Sequence, residues 1–394
     1  MRRGKKKKRG LLGIFFLQLF LLTCPVYGAD NSQGQDMLEQ EKEKTEQKLL
    51  EDMELDAMQE AVNELLGKDT FGLEDALEKI LRGEKLFSGE YFLALLKEYG
   101  FGQIAQERSA MIHMVLLIFM AALFSNFSHV FCNGQIGEIS FFLVYMLLLA
   151  SVVSAFGSLG NYVKEILENF ILFLKALMPS YFLAMTAASG SAGAMVFYEV
   201  ALMLIYMVQI VFFRWVLPGI HGMVLMELVN ALHSEDFLSK MAELLRTVIE
   251  WTLKTCVAVV IGMQLIQNMI SPAVDSLKRD LIGKAAGAIP GIGNAVSGVT
   301  EVAIGTAVLI RNGIGVLGIL VLLLIGIPPV LRLGISALLY KLLAAVMQPV
   351  SDKRMIGALT TAGDGCCLLL KVLLTVELLF FLTIAILTVS FVSH

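Results

Sequence analysis

The sequence has few of the residues from which metal sites and disulfide frameworks are built. Only five of its 394 residues are cysteines and five are histidines. The cysteines form no CxxC pair and have no regular spacing, so they predict neither a zinc site nor a disulfide scaffold. We therefore expect no metal and no cofactor. The cysteines are Cys24, Cys132, Cys256, Cys366 and Cys367.

Sequence motifs of common enzymes are also missing. There is no Walker lysine loop, no HExxH and no GxSxG. One GxGxxG, formed by Gly313, Gly315 and Gly318, matches the dinucleotide-binding fingerprint. It lacks a surrounding strand-turn-helix unit and an acid about 20 residues further on, so it fits helix packing better. We expect a protein that is not an enzyme.

Charge is scarce as well, because only 17% of the residues are charged and 57% are hydrophobic. The mean hydropathy is +0.74, whereas in soluble domains about 25% of residues are charged. The composition therefore predicts an all-α, polytopic integral membrane bundle. The charge that is present is concentrated at the front. Residues 1–10 carry seven bases and no acid, and residues 29–108 carry 20 acids and nine bases.

The first 105 residues divide into two parts. Residues 1–28 have the basic, apolar and small-residue regions of a secretory signal peptide, with cleavage after Gly28, although an uncleaved anchor is the alternative. Residues 29–105 predict a small acidic helical domain outside the cytoplasm, including a helix at Leu73–Leu81. Its acids would repel phosphate, so nucleic acid is not an expected partner. They fit solubility alone or a docking surface for a basic partner.

Residues 106–270 predict a first membrane block. A span needs about 20 mainly apolar residues, and amphipathic stretches favour helices at the interface. Pro179 and the small residues 187–194 predict a break. The predicted spans are Met111–Phe131, Ile139–Phe156, Met195–Phe213 and Thr255–Ile270, with a bent or partial span at Val216–Leu232. The predicted amphipathic helices are Leu159–Leu177 and Phe237–Trp251.

Residues 271–394 predict a second membrane block that is rich in glycine and proline. Irregular backbone survives in lipid only where protein or a water-filled cavity covers it, so we expect this block to be the buried centre, with a re-entrant or broken element. The glycines fit either tight packing alone or a path through the protein. The residues concerned are Gly283, Gly287, Gly291, Gly293, Gly313, Gly315, Gly318, Pro290, Pro328 and Pro329.

Two basic segments guide the predicted topology. Ser271–Lys284 is read as a loop, and Lys353 with Arg354 forms a second basic patch. The positive-inside rule places both in the cytoplasm. Gly313–Leu331 is a clear span between them, and this single crossing would put the two basic segments on opposite sides. We therefore expect Ala286–Ile310 or Ile335–Val346 also to cross or re-enter, and favour a re-entrant or broken element. Cys366–Val392 is the last span, with the carboxy-terminus facing outward. The total is six to eight membrane segments.

Ionisable residues within the apolar runs are the candidate functional charges. A charge at bilayer depth costs at least about 2.5 kcal/mol and usually faces a partner or water. Lys371 and Glu377 lie on different helix faces, so we expect them to pair with other helices or chains. The alternative for each candidate is a residue at the end of a span that reaches the interface. The candidates are Lys175, Glu199, Glu227, Glu301, Lys341 and Glu377.

Several sequence blocks together resemble the stage III sporulation protein AE family of endospore-forming bacteria. The resemblance rests on the runs Ile289–Gly293, Leu309–Gly315, Pro328–Arg332, Tyr340–Ala345, Gln348–Pro349 and Asp352–Arg354. The signal peptide, outer domain and multi-span layout fit the same family.

The resemblance implies a mother-cell protein of the outer forespore membrane. Its expected partners are the other subunits of the stage III sporulation A complex, a forespore-membrane protein reached through them, and the lipid bilayer. A homo-oligomer is left open. The expected function is that of a non-enzymatic subunit of the channel or secretion complex that links mother cell and forespore. The alternative is a stand-alone secondary transporter with a midplane site in broken helices, although the sequence has no convincing internal repeat.

Overall fold

A computed structural model describes residues 55–66, 72–84, 109, 111–120, 123, 135–189, 191–231, 237–286, 293–349 and 351–389. About 95% of the structure is helical, and the described residues include no strand, which confirms the predicted fold class. The helices are α1 (Leu55–Leu66), α2 (Leu73–Leu81), α3 (Met111–Met120), α4 (Gln135–Ser189), α5 (Ser191–Met207), α6 (Leu217–Asn230), α7 (Ser239–Ala286), α8 (Gly293–Met347) and α9 (Lys353–Val389); a π-helix, Val208–Val216, joins α5 to α6.

Helix α4 is continuous where the sequence predicts two helices and a break. It runs for 55 residues and includes Pro179. The predicted faces of its amphipathic part are confirmed, since Val163 and Leu167 are buried and Glu165 is exposed. The predicted break at Pro179 is wrong, because this exposed proline lies inside the continuous helix; proline is tolerated within membrane-spanning helices. The helix ends instead within the small-residue run.

The π-helix explains why the predicted spans Met195–Phe213 and Val216–Leu232 are joined. A π-helix has a wider turn than an α-helix, so residues four apart stay on one face. Val208, Phe212 and Val216 are all buried, while Arg214 and Trp215 are exposed. Leu217 then continues as α6, with Pro218 in its first turn, where a missing N–H is tolerated.

The predicted loop Ser271–Lys284 is wrong, because these residues are helical and belong to α7. The same 48-residue helix contains the predicted amphipathic helix and the predicted span Thr255–Ile270. Its start is fixed by Asn230, whose side-chain oxygen accepts a 2.9 Å hydrogen bond from the Leu238 N–H. Amphipathic and apolar stretches therefore follow one another in a single rod.

The predicted broken element is wrong over the described residues, because they form one continuous helix, α8. It runs for 55 residues with Pro328 and Pro329 inside it. At 1.5 Å per residue its length is about 80 Å, so one perpendicular crossing of a hydrocarbon core of about 30 Å covers less than half of it. The proline pair is tolerated because α8 is packed against α4 and α9 along much of its length.

Helices α4, α8 and α9 pack against one another, and α8 runs in the opposite direction to the other two. Leu177 of α4 and Ile384 of α9 both lie against Gly318 of α8. Towards the other end of the bundle, Arg332 of α8 lies over the ring of Tyr162 in α4. Helix α8 is therefore antiparallel to α4 and to α9, and α9 is the most enclosed of the four candidate spans.

Helices α1 and α2, from the acidic segment, pack on the membrane helices. The predicted helix Leu73–Leu81 is confirmed to the residue. Met58, Val62, Leu73 and Leu77 belong to the same buried apolar cluster as the long helices. The acidic side chains of α2 face outward. The predicted signal peptide, residues 1–28, lies outside the described residues.

Within the described residues, four helices are long and apolar enough to cross a membrane. They are Phe142–Ala188, Tyr198–Asn230, Ile304–Met347 and Lys353–Ala385, and a shorter apolar helix covers Met111–Met120. This number is lower than the six to eight segments that the sequence predicts. Part of the difference arises because Met195–Phe213 and Val216–Leu232, predicted as separate segments, are joined in one long helix; Thr255–Ile270 is not among the four, and Met111–Phe131 is described only in part.

Candidate functional site at an interhelical charge cluster

Four charged side chains from four helices meet where these helices pack together. We call Glu227 of α6, Arg246 of α7, Lys341 of α8 and Asp364 of α9 the charge cluster. Arg246 Nη2 donates a 3.1 Å hydrogen bond to Glu227 Oε1, and Arg246 Nη1 lies 3.7 Å from Asp364 Oδ2. Lys341 Nζ lies 2.7 Å from Asp364 Oδ1. Asp364 thus faces cations from two separate helices.

Glycines on either side of Asp364 allow the neighbouring helices to come close. A methyl group at Gly363 would lie 3.0 Å from Lys341 Cγ. A methyl group at Gly365 would lie 2.6 Å from the Phe156 ring and 2.8 Å from Val224 Cγ2. A side chain at residue 365 would force Phe156 or Val224 to move, so glycine there allows α9 to lie close to α4 and α6. The same Gly-Asp-Gly sequence places the Asp364 carboxylate at this close approach.

The charge cluster is partly shielded from its surroundings. The side chains of Arg246, Glu227 and Asp364 are 28%, 24% and 34% exposed, and Lys341 is 45% exposed. Partial burial strengthens the attraction between opposite charges relative to water. Two cations and two carboxylates leave no formal net charge, which lowers the cost of enclosing them among apolar helices.

A second ion pair and a cation–π contact lie outside the cluster. Lys371 Nζ of α9 donates a 2.8 Å hydrogen bond to Glu250 Oε1 of α7, as expected for a lysine that pairs with another helix. The Arg332 guanidinium carbon lies 4.1 Å from the centre of the Tyr162 ring. Such contacts contribute about 0.5–2 kcal/mol, depending on desolvation. Polar contacts therefore join α7 to α9 and α8 to α4.

The predicted functional charges have different surroundings. Glu227 and Lys341 are brought into the charge cluster, each paired with a residue that the sequence did not single out. Glu377 is 2% exposed, and its carboxylate lies against Gly326 of α8. Lys175 and Glu199 are exposed on the outer surface. Glu301 lies in α8, where the structure describes the backbone alone.

The predicted glycines and prolines are distributed along α7 and α8. Gly313 lies where a methyl group would be 3.0 Å from Leu77 and Leu81 of α2, and Gly318 faces Leu177 at 3.1 Å. Gly315 and Pro329 are buried and Pro328 is half-buried. Gly283 lies in α7 and Gly293 begins α8, with only their backbone described, whereas Gly287, Pro290 and Gly291 lie outside the described residues.

Sequence reasoning missed Arg246, Asp364 and Glu250. The pattern of the predicted amphipathic helix Phe237–Trp251 places Arg246 and Glu250 on its polar face, whereas in the structure they pair with residues of other helices. Asp364 stands just before the predicted last span, Cys366–Val392. The signal that could have found it is the Gly-Asp-Gly sequence, in which a charged residue is flanked by two residues without side chains.

The charge cluster connects four helices through ion pairs. Across the residues whose side chains are described, no group of three or more His, Cys, Asp or Glu could hold a metal ion. Each carboxylate of the charge cluster is paired with a cation instead. Breaking such a pair leaves a partly buried charge uncompensated, so the ion pairs favour one relative position of the four helices.

The fold and this cluster define a class, that of all-α polytopic membrane proteins whose helices are joined by interhelical ion pairs. The chain belongs to the stage III sporulation protein AE family, whose family profile matches residues 71–390. It is also similar to stage III sporulation protein AE of Bacillus subtilis (strain 168), with 23% identity over 312 residues, which are 79% of this chain and 78% of that protein. No solved structure matches the chain. The family gives this membrane protein a role in sporulation.

Proposed function

We propose that this chain is a non-enzymatic membrane subunit of the channel or secretion complex that links the mother cell to the forespore. In this proposal it resides in the outer forespore membrane of the mother cell, with its acidic amino-terminal domain outside the cytoplasm. Its partners are the other subunits of the stage III sporulation A complex and, through them, a forespore-membrane protein. Its contribution is a fixed helical scaffold within the membrane.

The observation that carries the proposal is the charge cluster. Asp364 is 2.7 Å from Lys341 and 3.7 Å from Arg246, and Arg246 also binds Glu227, so four helices share one network. A subunit around which others assemble needs helices that keep their relative positions. Both carboxylates of the cluster are held in ion pairs, which suits a structural role. A catalytic carboxylate would instead have to reach a substrate.

Deletion and complementation in sporulating cells of the native host test the functional role. An in-frame deletion is expected to abolish late forespore gene expression and heat-resistant spores, and the native gene is expected to restore both. Normal sporulation of the deletion strain would contradict the proposal. Asp364→Asn should complement less well than Glu168→Gln, whose carboxylate forms a 3.7 Å surface pair with Lys164 and is 54% exposed.

A flux measurement separates the proposed subunit from a stand-alone transporter. The purified full chain is reconstituted alone into liposomes and tested with a panel of ions, amino acids and nucleotides. A subunit that works only within a complex gives no saturable, specific uptake. Saturable uptake by the chain alone would instead establish the transporter.

A further inference from the structure

Helix α7 exposes a narrow line of apolar side chains over its first four turns. Four large apolar residues there are each more than half exposed, while the charged Arg246 and Glu250 of the same turns pair with residues of other helices. The usual arrangement of an amphipathic helix is therefore reversed, because apolar side chains face away from the bundle. We call these residues the α7 stripe; they are Met241 (53% exposed), Leu244 (58%), Val248 (52%) and Trp251 (71%).

The α7 stripe runs alongside a membrane-spanning helix. Arg246 lies 3.7 Å from Asp364 of α9, and Glu250 binds Lys371 further along α9. Helix α7 therefore runs in the same direction as α9, which is a candidate span. A helix that binds a membrane surface has its axis in the plane of the membrane. The α7 stripe is thus not oriented to lie flat on a lipid surface.

Charged side chains beside the α7 stripe exclude acyl chains as its cover. Lys240 and Glu243 form a 3.1 Å pair, with side chains that are 90% and 68% exposed, and Lys254 is also exposed. Charges at membrane depth almost always face the interior of a bundle or water, since each costs at least about 2.5 kcal/mol in hydrocarbon. These turns of α7 therefore lie outside the hydrocarbon. An exposed apolar patch with a polar rim marks an interaction surface there.

The spacing of the α7 stripe fits a second helix as its partner. Its residues recur at intervals of three, four and three, which is the 3.5-residue period of a left-handed coiled coil. In heptad notation, Met241 and Val248 take a positions, and Leu244 and Trp251 take d positions. A β-branched residue at a with leucine at d favours two parallel strands. Val248 and Leu244 have this combination.

The residues beside the α7 stripe distinguish the two possible directions of the partner. Lys240, Thr247 and Lys254 occupy the g positions. In a parallel pair of α7 helices they face e positions of the other copy, where Leu245 and Thr252 are uncharged. In an antiparallel pair centred on Thr247, the two lysines would face each other and repel. A two-fold axis perpendicular to the membrane gives the parallel arrangement, and two-fold dimers are the commonest oligomers.

We propose that the α7 stripe binds the α7 stripe of a second copy of this chain, as a parallel two-helix contact in a two-fold symmetric dimer. Both copies use the same surface, with Leu244 facing its counterpart near the centre. The contact removes four exposed apolar side chains of each copy from water. This inference is independent of the proposed sporulation complex.

Cysteine cross-linking in membranes tests the identity of the partner. Two differently tagged full chains, both carrying Leu244→Cys, are expressed together and oxidised mildly. Facing d positions of a parallel pair bring the two sulfurs within disulfide range, so we expect a product that contains both tags. Glu243→Cys is the matched control; it lies at a c position that points away from the contact and should give no more product than the native chain. Absence of the mixed product with Leu244→Cys, or its cross-linking to a different protein, would overturn the proposal.

The mass of the purified full chain in detergent tests the dimer without a cross-link. After correction for bound detergent, the native chain is expected at twice the mass of one chain. Leu244→Lys places two like charges in the contact and should give the mass of one chain. Leu338→Lys is the control, because Leu338 belongs to α8 and is 64% exposed; it should remain a dimer. The proposal is wrong if the native chain has the mass of one chain, or if Leu244→Lys leaves the dimer intact.

Tryptophan fluorescence distinguishes a protein cover from a lipid cover. The chain has two tryptophans, so Trp215→Phe leaves Trp251 as the single one. In bilayers of brominated phospholipid, we expect Trp251 to be quenched less in this chain than in the same chain that also carries Leu244→Lys. Equal quenching in the two would mean that lipid covers the α7 stripe and would overturn the proposal.

Discussion

Asp364 is the carboxylate that pairs with cations from two different helices. Its two carboxylate oxygens face Lys341 of α8 and Arg246 of α7, and the glycines beside it let α4, α6 and α8 approach. The other carboxylate of the cluster, Glu227, is paired with Arg246. Removing Asp364 therefore affects two ion pairs, and Lys341 then faces Arg246 across the vacated position.

Asp364→Asn is expected to destabilise the chain measurably. The amide keeps the shape but leaves two like charges close together, and because these groups are about one quarter to one half exposed, we expect a loss of about 1 kcal/mol in the free energy of unfolding. Thermal unfolding in detergent measures it. Glu168→Gln is the control and should change stability by less than about 0.5 kcal/mol, since its pair with Lys164 is at the surface. Equal stability of the two variants would argue against the cluster.

Gly326→Ala is expected to disturb the contact between α8 and α9. Its methyl group would overlap the Glu377 carboxyl group, and overpacking of this kind typically costs about 1–3 kcal/mol. Gly334→Ala is the matched control in the same helix, because nothing lies within 4 Å of a methyl group there. It should leave the melting temperature unchanged or raise it, since alanine favours helix. A decrease at position 326 no larger than the change at position 334 would contradict the close contact with Glu377.

At the scale of elements, hydrophobic patterns predicted where helices lie better than where they stop. The helix Leu73–Leu81 and the two faces of Leu159–Leu177 follow from spacing alone. The joins do not, because Pro179, Pro328 and Pro329 look like breaks in sequence but lie inside continuous helices. Packing shields Pro329 fully and Pro328 in part, whereas Pro179 is exposed. Ion pairs between helices that are far apart in sequence could not be predicted either, since Arg246 and Asp364 are 118 residues apart.

The contact between α2 and α8 gives an element-scale prediction. A Cβ atom at residue 313 would lie 3.6 Å from Leu81 Cγ. The sulfur of a cysteine at residue 81 would take about the position of that Cγ, which brings it near a cysteine at residue 313. Leu81→Cys combined with Gly313→Cys should therefore cross-link on mild oxidation, as seen by faster migration on a non-reducing gel. Leu81→Cys combined with Gly305→Cys is the control, because nothing surrounds Gly305 within 4 Å. Cross-linking in the control pair alone would place α2 elsewhere.

On the scale of the whole molecule, the acidic amino-terminal helices and the membrane helices share one buried apolar cluster. Helices such as α8, about 80 Å long, exceed the hydrocarbon core of a bilayer. Together with the ion pairs between α6, α7, α8 and α9, these features describe a fixed scaffold and support the proposed role as a subunit of a larger assembly.

Co-isolation from sporulating cells tests that role most directly. An epitope-tagged chain that complements the deletion is cross-linked in intact cells and purified from the membranes, and the proteins recovered with it are identified and quantified. We expect the other stage III sporulation A subunits to be enriched with the native chain and depleted with Asp364→Asn at equal expression. Recovery of the native chain without those subunits, from cells that form heat-resistant spores, would contradict the account.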